Sequence, residues 1–97
     1  MKQGYVYILS NKNRTVLYIG VTSNLEQRVY QHKNKLYDGF TKKYNCVDLL
    51  WWQQSDSIVS AIVREKELKG WTRSKKELLI RDVNPEFDDL AVGLFGW

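Results

Sequence analysis

Five side chains in this sequence are of the types that hydrolytic chemistry uses. Tyr7 and Tyr18 lie on two consecutive apolar runs, YVYIL (5–9) and VLYIGV (16–21). Arg28 and His32 follow, four residues apart, and Glu65 stands in the middle of AIVREKELKGW (61–71). Phosphodiester hydrolysis needs an activated water, a cation on the phosphorane oxygens and help for the leaving group. A guanidinium matches phosphate with two parallel hydrogen bonds. One carboxylate holding a divalent ion that keeps several waters is the usual Mg²⁺ arrangement. Each residue also has a plainer reading. Buried tyrosines are mostly core, an arginine on an amphipathic helix mostly pairs with an acid, and a lone histidine is mostly a satisfied core-edge group.

Glu65 carries the sharpest signal. The apolar positions Ile58, Ala61, Ile62 and Leu68 repeat with helical period, and Glu65 falls inside that stripe. A carboxylate facing the core costs several kcal/mol, about 3–5, unless something cationic meets it. An ion pair with Arg28 or a lysine, or a stem reaching the edge, would satisfy it as well as a metal, and ion pairs are the commoner case.

The elements that must position these groups follow from pattern. Tyr5–Leu9 and Val16–Val21 read as a hairpin around Asn11-Lys12-Asn13-Arg14. With Lys12 and Asn13 as the loop, Tyr7 falls opposite Tyr18, about 5 Å apart at Cβ, and Gly20 faces Tyr5. Ser23 and Glu26 form a capping box that opens a helix to about Leu36. Its inward stripe is Leu25, Val29 and Leu36, with Arg28 and His32 interleaved and Lys33, Asn34 and Lys35 facing water. A loop from Lys35 to Tyr44 turns at Asp38-Gly39. Val47–Gln53 is a third strand. Asp56 or Ser57 opens a second helix that stops at Gly70, and Ser74 with Glu77 caps a third, ended by Asn84-Pro85. Phe87 and Leu90 in the tail return to the core.

The 97 residues fit a single domain, 43% apolar, with four Trp and six Tyr to build its core. The single cysteine excludes an internal disulfide, and no His/Cys cluster has zinc spacing. The N-terminal apolar run is too short for a signal peptide or a membrane span, so the expected location is cytoplasmic. A net charge of +4 favours an anionic partner.

From YVY (5–7) through YIG (18–20) to Arg28, the chain resembles the GIY-YIG nuclease domain, nearest its small stand-alone bacterial branch. The run YIG-x₇-R-x₃-H with a downstream REKxLKxW is the specific part, supported by FTKKYN and NPEFDDL, and the likeness spans about residues 4–90, leaving 91–97 unassigned. The resemblance implies an α+β fold: a small three-stranded antiparallel sheet flanked by about three helices, in the order β-β-α-β-α-α. It implies that Tyr18 is the general base, that Tyr7 orients or assists it, and that Arg28 binds the scissile phosphate. Glu65 would be the sole protein ligand of one Mg²⁺ or Mn²⁺ ion. Asn84 and Gly20 would support the site, and His32 would position or accept a proton. Two departures stand out: YVY replaces GIY, and Val21 stands where many members carry a lysine. A free phenol titrates near pH 10 and needs a cation beside it to act as a base at neutral pH.

The expected function is therefore a metal-dependent endonuclease, with DNA ahead of RNA as substrate, as a monomer or weak homodimer. No DNA-targeting domain is apparent, so selectivity should be low. Repair, processing of branched nucleic acid and defence are all open as pathways. A non-catalytic nucleic-acid-binding module is the alternative: Lys42, Lys43, Lys69, Lys75 and Lys76 would grip phosphates, and Tyr37, Phe40 or Tyr44 would stack on bases. A structural or adaptor role would rest on an exposed indole from Trp51-Trp52.

Overall fold

The computed structural model describes residues 3–97; the first two residues of the N-terminal run fall outside them. Three strands, β1 (Gly4–Ser10), β2 (Leu17–Thr22) and β3 (Asp48–Ser55), form an antiparallel sheet in the order β2-β1-β3. Five helices accompany them: α1 (Leu25–Lys33), α2 (Phe40–Lys43), α3 (Ile58–Lys69), α4 (Arg73–Val83) and α5 (Ala91–Phe95). The expected α+β class and strand pairing hold. The two additional helices are short, one inside the expected 35–44 loop and one in the unassigned tail.

Strand alternation divides the core in two. Val6, Ile8 and Ile19 face α3 and α4, where they meet Ala61, Leu68 and Ile80. Tyr7 and Leu9 face the other way, onto Leu25 and Val29 of α1 and Ala91 of α5. A bulge in β3, opposite Ile8 and Leu9, puts Leu50 and Trp51 together on the α3/α4 side. Trp51 is buried there, while Trp52 packs beside Tyr5 on the opposite face, so helices cover the indole pair on both sides.

The hairpin register differs from expectation. Tyr7 pairs with Gly20 and Leu9 with Tyr18, a slip of two residues. The cause is Asn11, whose side chain accepts hydrogen bonds from the backbone of Thr15 and Val16 at 2.9 and 3.0 Å. Arg14 adopts a left-handed backbone (φ 58°), and the turn widens beyond two residues. Because the slip is even, side-chain parity survives and both phenols still share a face.

Several boundaries also move. Asn24, not Ser23, caps α1 by accepting from Gln27 N. The helix stops at Lys33, so Leu36 is exposed instead of inward. Lys33 turns away from open water to an ion pair with Asp89. Thr72, not Ser74, caps α4, leaving Ser74 inside the helix and Glu77 paired with Arg73 at 2.8 Å. Ser57 caps α3, and Phe87 and Leu90 pack on the core, both as expected. Gly4 admits α3 against the start of β1: a Cβ there would lie 2.7 Å from Ala61 Cβ and 2.8 Å from Ile58 Cα.

Candidate active site

β1 brings Tyr7, β2 brings Tyr18 and Gly20, and α1 brings Arg28 and His32 to the same face of the sheet. Tyr7 is 1% exposed, and its ring lies across Gly20, where a Cβ would overlap the phenol. This is the physical requirement for glycine in the second motif: the residue that was expected to face Tyr5 makes room for Tyr7 instead. The Tyr7 and Tyr18 ring centroids are 6.4 Å apart.

The Tyr7 hydroxyl lies 3.0 Å from His32 Nε2, and His32 Nδ1 lies 3.0 Å from Thr41 Oγ1. His32 and Thr41 are both buried. In either tautomer the imidazole donates through one nitrogen and accepts at the other, so the chain Tyr7–His32–Thr41 is complete. Burial, reinforced by the Arg28 charge, lowers the His32 pKa to about 4, which keeps the ring neutral at pH 7. Burial pushes the Tyr7 phenol above its ordinary range. Tyr18, Tyr37 and Glu65 act in the same direction and Arg28 opposes them. Tyr7 therefore stays protonated. Tyr18 is the less buried phenol, stacked on Phe40 at 5.9 Å between centroids.

Arg28 lies 4.7 Å over the Tyr37 ring and has no carboxylate partner among the described residues. The ion pair between Arg28 and Glu65 is thus not formed. Glu65 instead meets Lys69, one turn on, at 3.4 Å; the glutamate side chain is 15% exposed and the lysine 54%. Glu65 sits on α3, across the sheet from the phenols. At the edge of β2 a cleft of ≈ 280 Å³ joins Leu17 and Ile19 from one face to Tyr18 and Phe40 from the other, with Lys76 and Lys69, the partner of Glu65, along its wall. Val21 packs toward α3, so the position where the resemblance implies a lysine faces away from the phenols, and the lysines that share a cleft with Tyr18 come from α3 and α4.

Of the expected nucleic-acid residues, Phe40, Lys69 and Lys76 line this cleft, whereas Lys42, Lys43 and Tyr44 are not in its lining. Phe40, which opens the short α2, and Tyr44, which ends it, have ring centroids 4.6 Å apart with the planes tilted by 47°, and Lys43 lies 5.3 Å over Tyr44. Lys42 pairs with Asp38 at 3.2 Å. Asn84 is elsewhere: it is buried, donates to Leu50 O and Asp88 O, and accepts from Asp88 N. Its bonds tie the end of α4 to β3 and reach none of the site residues. Thr41 was not singled out by the sequence; its only signal is a place inside FTKKYN.

Among the described residues no three His, Cys, Asp or Glu side chains cluster as a metal cage. A lone, largely buried carboxylate whose one partner is an exposed lysine suits a hard cation that keeps most of its water. Glu65 fits that role.

The sequence matches the GIY-YIG catalytic domain over residues 3–78. The chain belongs to the GIY-YIG family. A UPF0213 protein of Natronomonas pharaonis is 40% identical over 78 residues, covering 80% of this chain and 91% of its own length. One of Syntrophus aciditrophicus is 37% identical over 87 residues, covering 89% and 98%. The solution NMR structure of UPF0213 protein BH0048 from Bacillus halodurans superposes with a TM-score of 0.58 at 26% identity, covering 93% of this chain and 95% of that one. Similar chains thus occur in bacteria and archaea alike. The GIY-YIG assignment carries a nuclease-type fold; the UPF0213 names state no activity.

Proposed function

We propose that this GIY-YIG protein is a divalent-metal-dependent endonuclease that hydrolyses phosphodiester bonds of nucleic acid. The observation that carries this reading is the gathering of Tyr7, Tyr18 and His32 on one sheet face, with the Tyr7 and Tyr18 rings 6.4 Å apart and His32 5.9 Å from Tyr18, beside an Arg28 that has no carboxylate partner among the described residues. In this scheme Arg28, with no carboxylate to neutralise it, binds the scissile phosphate and stabilises charge as it grows on the phosphoryl oxygens. Tyr18, as the phenolate with its own proton already released to solvent, takes the proton of the attacking water, and solvent protonates the leaving oxygen. Tyr7, held protonated by burial, and His32, held neutral, fix the position of that phenol through packing and the Thr41 bond. Mg²⁺ or Mn²⁺ held by Glu65 would supply Lewis-acid stabilisation of the leaving oxygen.

Cleavage of labelled single-stranded, duplex and branched DNA and RNA, with Mg²⁺ or Mn²⁺, tests the proposal. Activity in the wild type and its loss in Glu65→Ala is the expected result. Equal activity in both would remove the claim. One observation favours a non-catalytic binding module instead: Glu65 already has a cation, Lys69, at 3.4 Å. Salt-dependent binding with no cleavage under either ion would select that reading.

A further inference from the structure

Lys75 and Lys76 are adjacent in sequence but differ in setting. Lys75 lies 5.5 Å over the Trp71 ring, on the outer side of α4. Lys76 lines the cleft at the β2 edge beside Tyr18 and Phe40. It is half-buried and has no carboxylate partner among the described residues, unlike Lys69 in the same wall. An ammonium with no counter-charge on the wall of a cleft is placed to pair with an anion arriving there. Opposite it stands Phe40, 46% exposed although it is a large apolar side chain. The cleft volume of ≈ 280 Å³ lies near the lower end for ligand pockets and suits one nucleotide unit better than a stacked pair.

We infer that this cleft is a subsite for the nucleotide next to the cleaved bond, with Lys76 on its phosphate and Phe40 against its base. The base must be unpaired to reach Phe40, since a base inside a duplex presents only its edges. The substrate class is therefore a strand unpaired beside the scissile phosphate. Lys69 supports the subsite only when its pairing with Glu65 is relieved. The inference rests on the nuclease reading for the identity of the neighbouring bond, but not for the binding itself.

Fluorescence anisotropy with labelled single-stranded and duplex oligonucleotides, DNA and RNA in separate arms, tests it in EDTA, where no cleavage intervenes. Lys76→Gln should weaken single-strand binding and lower the slope of log K against log salt by about 0.7, the value for one phosphate contact, with Lys76→Arg restoring both. Phe40→Leu keeps an apolar side chain but removes the aromatic face. It should weaken single-strand binding about 5- to 100-fold and leave duplex binding unchanged, and Phe40→Trp should restore it. Unchanged single-strand affinity in Lys76→Gln and Phe40→Leu, or equal losses on both forms, would overturn the subsite. If these losses appear while no substrate is ever cleaved, the subsite stands and the nuclease reading fails.

Discussion

Tyr7, His32 and Thr41 form a buried line of hydrogen bonds in which every group is held neutral, so the first role of each is to fix a position. Thr41→Val removes the acceptor or donor at His32 Nδ1 while keeping the side-chain shape. We expect about a tenfold fall in cleavage rate, as for loss of a group that orients a site histidine, together with a changed His32 tautomer balance in ¹⁵N NMR. Thr41→Ser should restore both. An unchanged imidazole signal would show that Thr41 merely fills space. Arg28→Ala should cost on the order of 10²–10³ in rate, as for removal of one donor to the transition state. A loss below threefold in single-turnover kinetics would deny it that role. Gly20→Ala drives a methyl group into the Tyr7 phenol. The ring must shift, at about 1–3 kcal/mol of stability, and chemical denaturation beside the wild type measures it.

The elements were legible where local chemistry has one solution. Ser57 and Gly70 bracket α3 where the sequence put its ends, Ser57 taking the cap ahead of the neighbouring Asp56 by accepting from Ser60 N. The hairpin was legible in its faces but not in its register. Asn11 can bond to its own chain at several points, and its choice of Thr15 and Val16 widened the turn. Ser23 and Ser74 lost their capping places to Asn24 and Thr72, neighbours with equally good acceptor oxygens. The stripe held at Ala61 and Leu68, and it left the Glu65 side chain largely covered, but Ile62, counted in the same stripe, is exposed. How closely α3 approaches β1 depends on Gly4. Gly4→Ala should push the two apart, because the clash is with helix backbone as well as Ala61. It should lower stability by about 1–3 kcal/mol and reduce cleavage beyond the loss of folded protein, as measured by activity at a fixed folded fraction.

For the whole molecule, acid should be the weak direction. The His32 pKa is lowered from 6.5 to about 4, so between those values the unfolded chain binds a proton that the folded chain refuses. Stability therefore falls as the pH drops through that window, by up to about 3 kcal/mol. Asp89 adds to the trend. Burial pushes its carboxyl up, but the Lys33 side chain and the amides of Leu49 and Ala91 outweigh this and hold it below the usual range. Its contribution is present above the unfolded pKa and is lost as the pH falls through the folded one. Urea unfolding at pH 7 and pH 4.5 measures the slope, and His32→Gln should flatten it above pH 4.

The claim on which the rest depends is that residues from both faces of the sheet, meeting at the edge of β2, form one metal-competent site. Titration of the ¹⁵N-labelled protein with Mn²⁺, read as paramagnetic broadening, tests that directly and without any substrate. Broadening centred on Glu65 that extends to Tyr18, Gly20 and Arg28, and that disappears in Glu65→Ala, is the predicted result. Broadening centred elsewhere, or the same pattern in both proteins, would contradict it.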